Sequence, residues 1–159
     1  MKNSRAYTSD FAGTARAYCS WCEATHTEHT DSQAAYWLSR LYSQALMLEK
    51  VSCENSDGLP DIPQKDLDAA KSNLAKFFGR YYRVVFNPDC LLDEEPVMGD
   101  IGDDLFDTYL DIRRGLVLFD KSESNHALWF WSLMHRDHWG HHAVSALSAL
   151  HCLAIAQAR

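Results

Sequence analysis

Between Trp129 and His142 the chain places three tryptophans, one phenylalanine and four histidines within fourteen residues. Rings of this size need a large apolar interior to receive them. The stretch that follows, Ala143-Val144-Ser145-Ala146-Leu147-Ser148-Ala149-Leu150-His151, keeps small and branched apolar residues at helical spacing. A chain carrying this segment is constrained to pack helix against helix around a thick core. Strand-type alternation is nearly absent elsewhere. At 159 residues, 47% of them apolar, one domain with a sizeable core is expected over 1–159.

Five helices are readable, which predicts an all-α, single-domain bundle with a long C-terminal helix as its central or longest element. The first runs from about Asp10, a candidate cap, to Thr27, with Phe11, Ala15, Tyr18 and Cys22 as its apolar stripe. The second follows Asp31 and carries Trp37, Leu38, Leu41, Tyr42, Ala45 and Leu48. A polar linker over 51–63, with one glycine and two prolines, interrupts the pattern. The third helix is expected over 64–86, with Leu67, Ala70, Leu74, Phe77, Phe78 and Tyr81 inward and Gly79 as a weak point. A second linker reaches Gly99. The fourth helix starts near Gly102 or Asp103 and ends near Asp120. The fifth is expected over 125–157, capped by Ser122 or Ser124, with Gly140 inside it as a place for a kink or a close approach.

The net charge is −7, with a sequence pI near 5.5. Phosphate backbones repel such a chain, so nucleic acid is not an expected partner. A basic protein is, because opposite fields steer association. No run approaches the ~20 apolar residues a membrane helix needs, and Met1 to Ala6 has no apolar signal core, so a cytoplasmic location is expected. Five cysteines, an odd number in a chain large enough to need no staples, are expected to be reduced thiols.

Asp104-Leu105-Phe106-Asp107-Thr108-Tyr109-Leu110-Asp111-Ile112-Arg113-Arg114-Gly115-Leu116, then Trp129-Phe130-Trp131, His138-Trp139-Gly140-His141-His142-Ala143 and Ala146-Leu147-Ser148-Ala149-Leu150-His151 form one extended pattern. It resembles the bacterial domain-of-unknown-function family numbered 5063, whose members are compact helical domains of similar length. The likeness is strongest from Asp103 onward and weaker over Phe11 to Leu48. It implies the fold and carries no activity.

Several constellations bear on chemistry. His138 and His142 sit at i and i+4, so both rings can reach one ion, and His135 or His141 could add a third nitrogen. Asp104, Asp107 and Asp111 recur at i, i+3 and i+7 on the fourth helix, a stripe from which Asp107 and Asp111 could supply carboxylates. Neither HExxH nor the paired Glu-x-x-His signature of di-metal bundles is present. The bland alternative is a polar seam in which the histidines bond to Asp107, Asp111 or Tyr109. Asp103 and Asp104 in a first helical turn are also expected to serve the macrodipole and cap free N–H groups. Cys19-Ser20-Trp21-Cys22, followed by His26 and His29, has the look of a zinc or redox motif. Four ligands on one straight helix cannot surround an ion, and no strand precedes the pair, so structural thiols are expected. No GxSxG or phosphate loop occurs.

The reading these features favour is a non-catalytic, acidic, cytosolic binding protein with no cofactor, of which an immunity protein neutralising a toxic effector is one concrete form. Its contact residues are expected among Asp93, Glu94 and Glu95, the stripe Asp103, Asp104, Asp107 and Asp111, and an exposed Trp139. The alternative is a metal-dependent hydrolase or oxidase holding an ion such as zinc on His138, His142, Asp107 and Asp111.

Overall fold

The computed structural model describes residues 2–25, 28–48, 51–52, 58–87, 89 and 94–157. Six helices and one hairpin make up its regular structure: α1 (Lys2–Glu23), α2 (Asp31–Ala45), α3 (Gln64–Asn73), β1 (Tyr81–Val84), β2 (Val97–Asp100), α4 (Ile101–Asp120), α5 (Ser124–Asp137) and α6 (Trp139–Gln157), with a single 3-10 turn at Ala75–Phe77. The described stretches of the first linker, 51–52 and 58–63, carry no regular structure, whereas the second, expected as linker to Gly99, ends in β2. No described helix is long and apolar enough to cross a membrane.

Local chemistry sets the boundaries. Thr30 and Gln33 form a reciprocal capping box that starts α2. Asp100, rather than Asp103 or Asp104, caps α4 by accepting from the amides of Gly102 and Asp103. At the other end of α4, Ser122 N–H donates to the Phe119 carbonyl and Glu123 N–H to that of Leu118. This is a Schellman closure with Ser122 in the left-handed position, at φ +66°. Ser122 thus ends α4 instead of capping α5, whose cap, Glu123, turns its side chain to the His126 ring and makes no bond to the first backbone amides. Asp10 lies inside α1, which begins at Lys2.

Two expectations are corrected. The third helix stops at Asn73. Gly79 turns left-handed at φ +78°, and Tyr81-Tyr82-Arg83-Val84, aromatic and β-branched, becomes a strand. It pairs antiparallel with Val97–Asp100 in the register Tyr81 opposite Asp100 and Val84 opposite Val97. Tyr81, expected inward, is 65% exposed. The long fifth helix is two helices. His138 leaves helical geometry at φ −147°, ψ −86°, and the chain resumes at Trp139. Gly140 is what permits the resumption, since a Cβ there would overlap the His135 carbonyl.

The central element is α4, which packs on α1, α5 and α6 and receives the hairpin at its N-terminus. Trp131 and Trp139 are fully buried beside Phe11, at centroid distances of 5.0 and 6.4 Å. Their indole N–H groups donate to the carbonyls of Ile112 and Trp131, so neither ring leaves a polar atom stranded.

Two outcomes are expected. A β-carbon in the left-handed region costs ~1 kcal/mol, so Ser122→Gly should raise the unfolding free energy by about that amount in urea titrations; a loss would overturn the Schellman assignment. Arg80 holds the Asp31 carboxyl below its ordinary value through a bidentate contact at 2.7 Å. A depressed carboxyl contributes stability above its unfolded pKa, about 3.9, and loses it as pH falls through the folded value. Both side chains are about a quarter to a third exposed, so the contribution is only ~0.5 kcal/mol. The stability gap between wild type and Asp31→Asn should be present at pH 7 and close below pH 4.

Candidate functional site

The aspartate stripe of α4 faces the junction of α5 and α6. Asp104 and Asp111 are buried, at 5% and 2% exposure, and each meets a histidine. His138 Nδ1 lies 2.7 Å from Asp111 Oδ2, and His142 Nδ1 lies 2.8 Å from Asp104 Oδ1. A carboxylate can only accept, so each ring donates from Nδ1 and keeps Nε2 as its remaining nitrogen. Asp104 also accepts from the Tyr82 hydroxyl. The tyrosine reaches it by lying across Gly99, its cross-strand neighbour, where a Cβ would collide with the ring. Arg114 Nη1 stands 3.6 Å from the other oxygen of Asp111.

Asp107, between the two buried aspartates, is half-buried. Its Oδ2 is 3.6 Å from His142 Nε2. One ligand atom each from Asp107, His138 and His142 lie within 4.8 Å of one another, and among the described residues this is the one group of metal-ligand type. The two imidazoles, 4.8 Å apart between centroids, stay adjacent even though the helix breaks between them. The bond to Asp104 raises the His142 pKa against the opposing effect of burial. Burial also raises the Asp107 carboxyl, which the nearby histidines partly offset.

The remaining sequence candidates divide. Asp103 is exposed in the first turn of α4. Glu94 and Glu95 are exposed beside the hairpin; Asp93 lies outside the described residues. Trp139 is fully buried and offers no surface to a partner, because its ring fills the core beside Phe11. Asp104 and Asp111 are likewise closed to a protein partner, their carboxylates being spent on the histidines, and Asp111 is an orienting partner of His138 in place of a candidate ligand. His135 turns away from the cluster to sit between Tyr42 and Trp139, each at 4.8 Å, and burial lowers its pKa. His141 is exposed and packs edge-on to Phe86. Cys19 and Cys22 are buried free thiols, pushed up by burial, and His29 is bonded to the Trp21 carbonyl. The CxxC is therefore structural; His26, Cys53 and Cys90 lie outside the described residues.

What sequence reasoning missed is a cleft of about 770 Å³ between the end of α2, the hairpin, α5 and α6. Its exposed walls include Leu46, Val85, Phe86 and Val144. Half-buried Trp129 and His135 also line it. A second hollow, about 440 Å³, shares Val84, Phe86, His141 and Ser145 with the first and runs to Asp104 and His142, walled by exposed Tyr81, Val97 and Met98. The only signal in the sequence was the run Tyr81-Tyr82-Arg83-Val84-Val85-Phe86, too short to declare itself.

Removing Asp104 strands the Tyr82 hydroxyl and His142 Nδ1, a cost of ~2 kcal/mol. Asp104→Ala should lower the unfolding free energy by about that much, while Asp103→Ala stays within ~0.5 kcal/mol of wild type. Equal effects in the two variants would contradict the seam.

The family model described as "Domain of unknown function (DUF5063)" matches residues 2–156, and the chain belongs to that family. The fold is similar to the crystal structure of protein BF1032 from Bacteroides fragilis, with a TM-score of 0.70 and 21% sequence identity over 90% of this chain and 89% of that one. At that identity the likeness extends to the fold alone. No curated protein matches the chain.

Proposed function

We propose that this member of the DUF5063 family is a non-catalytic interaction protein that holds an apolar segment of a basic protein in the double cleft between α2, the hairpin and α6. One observation carries the reading. Among the described residues, seven of the twelve exposed large apolar side chains wall the two adjoining hollows: Leu46, Val85, Phe86 and Val144 in the first, Tyr81, Val97 and Met98 in the second. Large apolar side chains scattered singly need no explanation, but side chains gathered on one concave face mark a contact surface. Aromatic and methionine anchors in a recess are also what interface cores favour.

Charge argues for the nature of the partner. The chain carries −7 overall, and Glu94 and Glu95 stand exposed at the hairpin, with Glu95 beside Met98 and Tyr81. Two cations stand at this face: Arg136, already paired with Asp137 at 2.6 Å, and Arg83, beside Glu95 on the hairpin. A segment with apolar anchors and flanking lysine or arginine fits both the recess and its rim. Neutralisation of a basic toxic effector is one form this activity takes.

The test is site-specific photo-crosslinking in the native host. A probe replacing Phe86 should capture a protein through a basic, apolar segment, and a probe replacing the exposed Lys71 of α3 should not. The double reversal Glu94→Lys with Glu95→Lys should reduce capture at least tenfold with the circular dichroism spectrum unchanged. Capture by both probes alike, or by neither, would sink the proposal; capture indifferent to the reversals would sink its electrostatic part.

A further inference from the structure

We propose that His138, His142 and Asp107 bind one divalent transition-metal ion of the zinc class, with Asp111 and Asp104 as the carboxylates that orient the two imidazoles. The proposal goes beyond the interaction reading and does not depend on it.

Each ring has one nitrogen left to offer a ligand. Asp111 and Asp104 engage Nδ1 of His138 and His142 at 2.7 and 2.8 Å. Metal-ligating histidines characteristically donate their other N–H to a carboxylate, which fixes the tautomer and makes the free nitrogen a better ligand. Here the feature occurs twice, and both orienting carboxylates are buried, so neither can swing away. A simple polar seam would need one such pair per histidine and nothing further. It gives no reason for a third carboxylate, Asp107, to stand at the remaining nitrogen of His142.

The spacing is informative. At 3.6 Å, His142 Nε2 and Asp107 Oδ2 are too far apart for a hydrogen bond. Two ligands each about 2.1 Å from a zinc ion at a tetrahedral angle lie ~3.4 Å apart. The pair is therefore close to a coordination edge already. The widest separation in the trio, within 4.8 Å, must shrink by up to ~1.4 Å to meet that edge. His138 can make the adjustment, since its side chain is 45% exposed and it sits at the non-helical junction of α5 and α6.

Donor chemistry selects the class of ion. Two imidazole nitrogens and one carboxylate suit zinc and its neighbours in the transition series; magnesium and calcium require oxygen-rich sites. Three protein ligands leave at least one position for water or for a group entering from the second hollow, which His142 and Asp104 line.

Cobalt(II) is the probe. Metal-stripped protein should take up one equivalent and develop the visible absorption of low-coordinate cobalt, and zinc should displace it. Asp107→Asn and His142→Ala should each weaken uptake by at least tenfold. Asp111→Asn, a positioning change, should weaken it 10- to 100-fold and shift the absorption band, an effect a merely structural role would not produce. Asp107 is half-buried at the surface, so its variant tests the site even if His142→Ala does not fold. Failure of the wild type to bind one equivalent overturns the proposal, and so does uptake that Asp107→Asn leaves unchanged.

Discussion

Two carboxylates buried on α4 organise much of what surrounds them. A charge taken out of water costs several kcal/mol unless partners replace the lost hydration. Asp104 is answered from two directions, by Tyr82 on the hairpin and by His142 on α6. Asp111 is answered by His138, with Arg114 near its second oxygen. Those contacts fix where the hairpin lies against α4 and how the last two helices meet. Tyr82 cannot reach Asp104 unless the opposing residue is glycine, so the carboxylate sets the character of β2 as well as the position of β1. His138 meets Asp111 from a junction where the backbone has left the helix.

The apolar half of the interior depends on the same junction. Trp131 ends one run of core residues on α5 and Trp139 opens the next on α6, and both rings converge on Phe11. In an unbroken helix, residues eight apart would point about 80° apart and lie about 12 Å apart along the axis. The break brings the Trp139 indole back to the Trp131 carbonyl. Close packing of two indoles and a phenyl ring is thus coupled to the placement of His138 and His142, and a change at either tends to be felt at the other.

Much of this was legible in the residues. Helical spacing gave α1, α2, α4 and most of the last two helices, because burial of an apolar stripe leaves a clear 3.6-residue mark. The i, i+3, i+7 placement of Asp104, Asp107 and Asp111 and the i, i+4 placement of His138 and His142 were enough to pair the two elements. The break at His138 was not legible: histidine, tryptophan and an interior glycine are all compatible with helix, and the deciding term is a carbonyl contact at Gly140. The hairpin escaped for a related reason. Its first strand follows a true helix within a single 3-10 turn, and its second is four residues long, so neither period had room to register. Trp139 read as a contact residue because composition cannot say which of three tryptophans the core accepts; Gly140 and Phe11 decide that in space.

Several departures from local regularity gather on one side. The hairpin with its outward Tyr81 and Met98, half-buried His135 and the junction at His138 border the two hollows or the aspartate seam. Elsewhere in the bundle Arg113 is tied to Glu23 and Asp66, Arg16 to Asp120, and the thiols of α1 are sealed, while Ser122 stands left-handed at φ +66° and Trp21 Nε1 is buried without a partner. Sequences tend to be consistent across levels except where function imposes a conflict. Exposing Phe86 and Met98 forgoes the ~1.5–3 kcal/mol that burying each would return, and burying two aspartates incurs a desolvation cost that apolar residues would avoid. A chain selected for stability alone would shed both features. That they share one face, with His142 and Asp104 forming the floor of a hollow whose walls are apolar, argues that the cleft and the histidine–aspartate cluster belong to a single working surface.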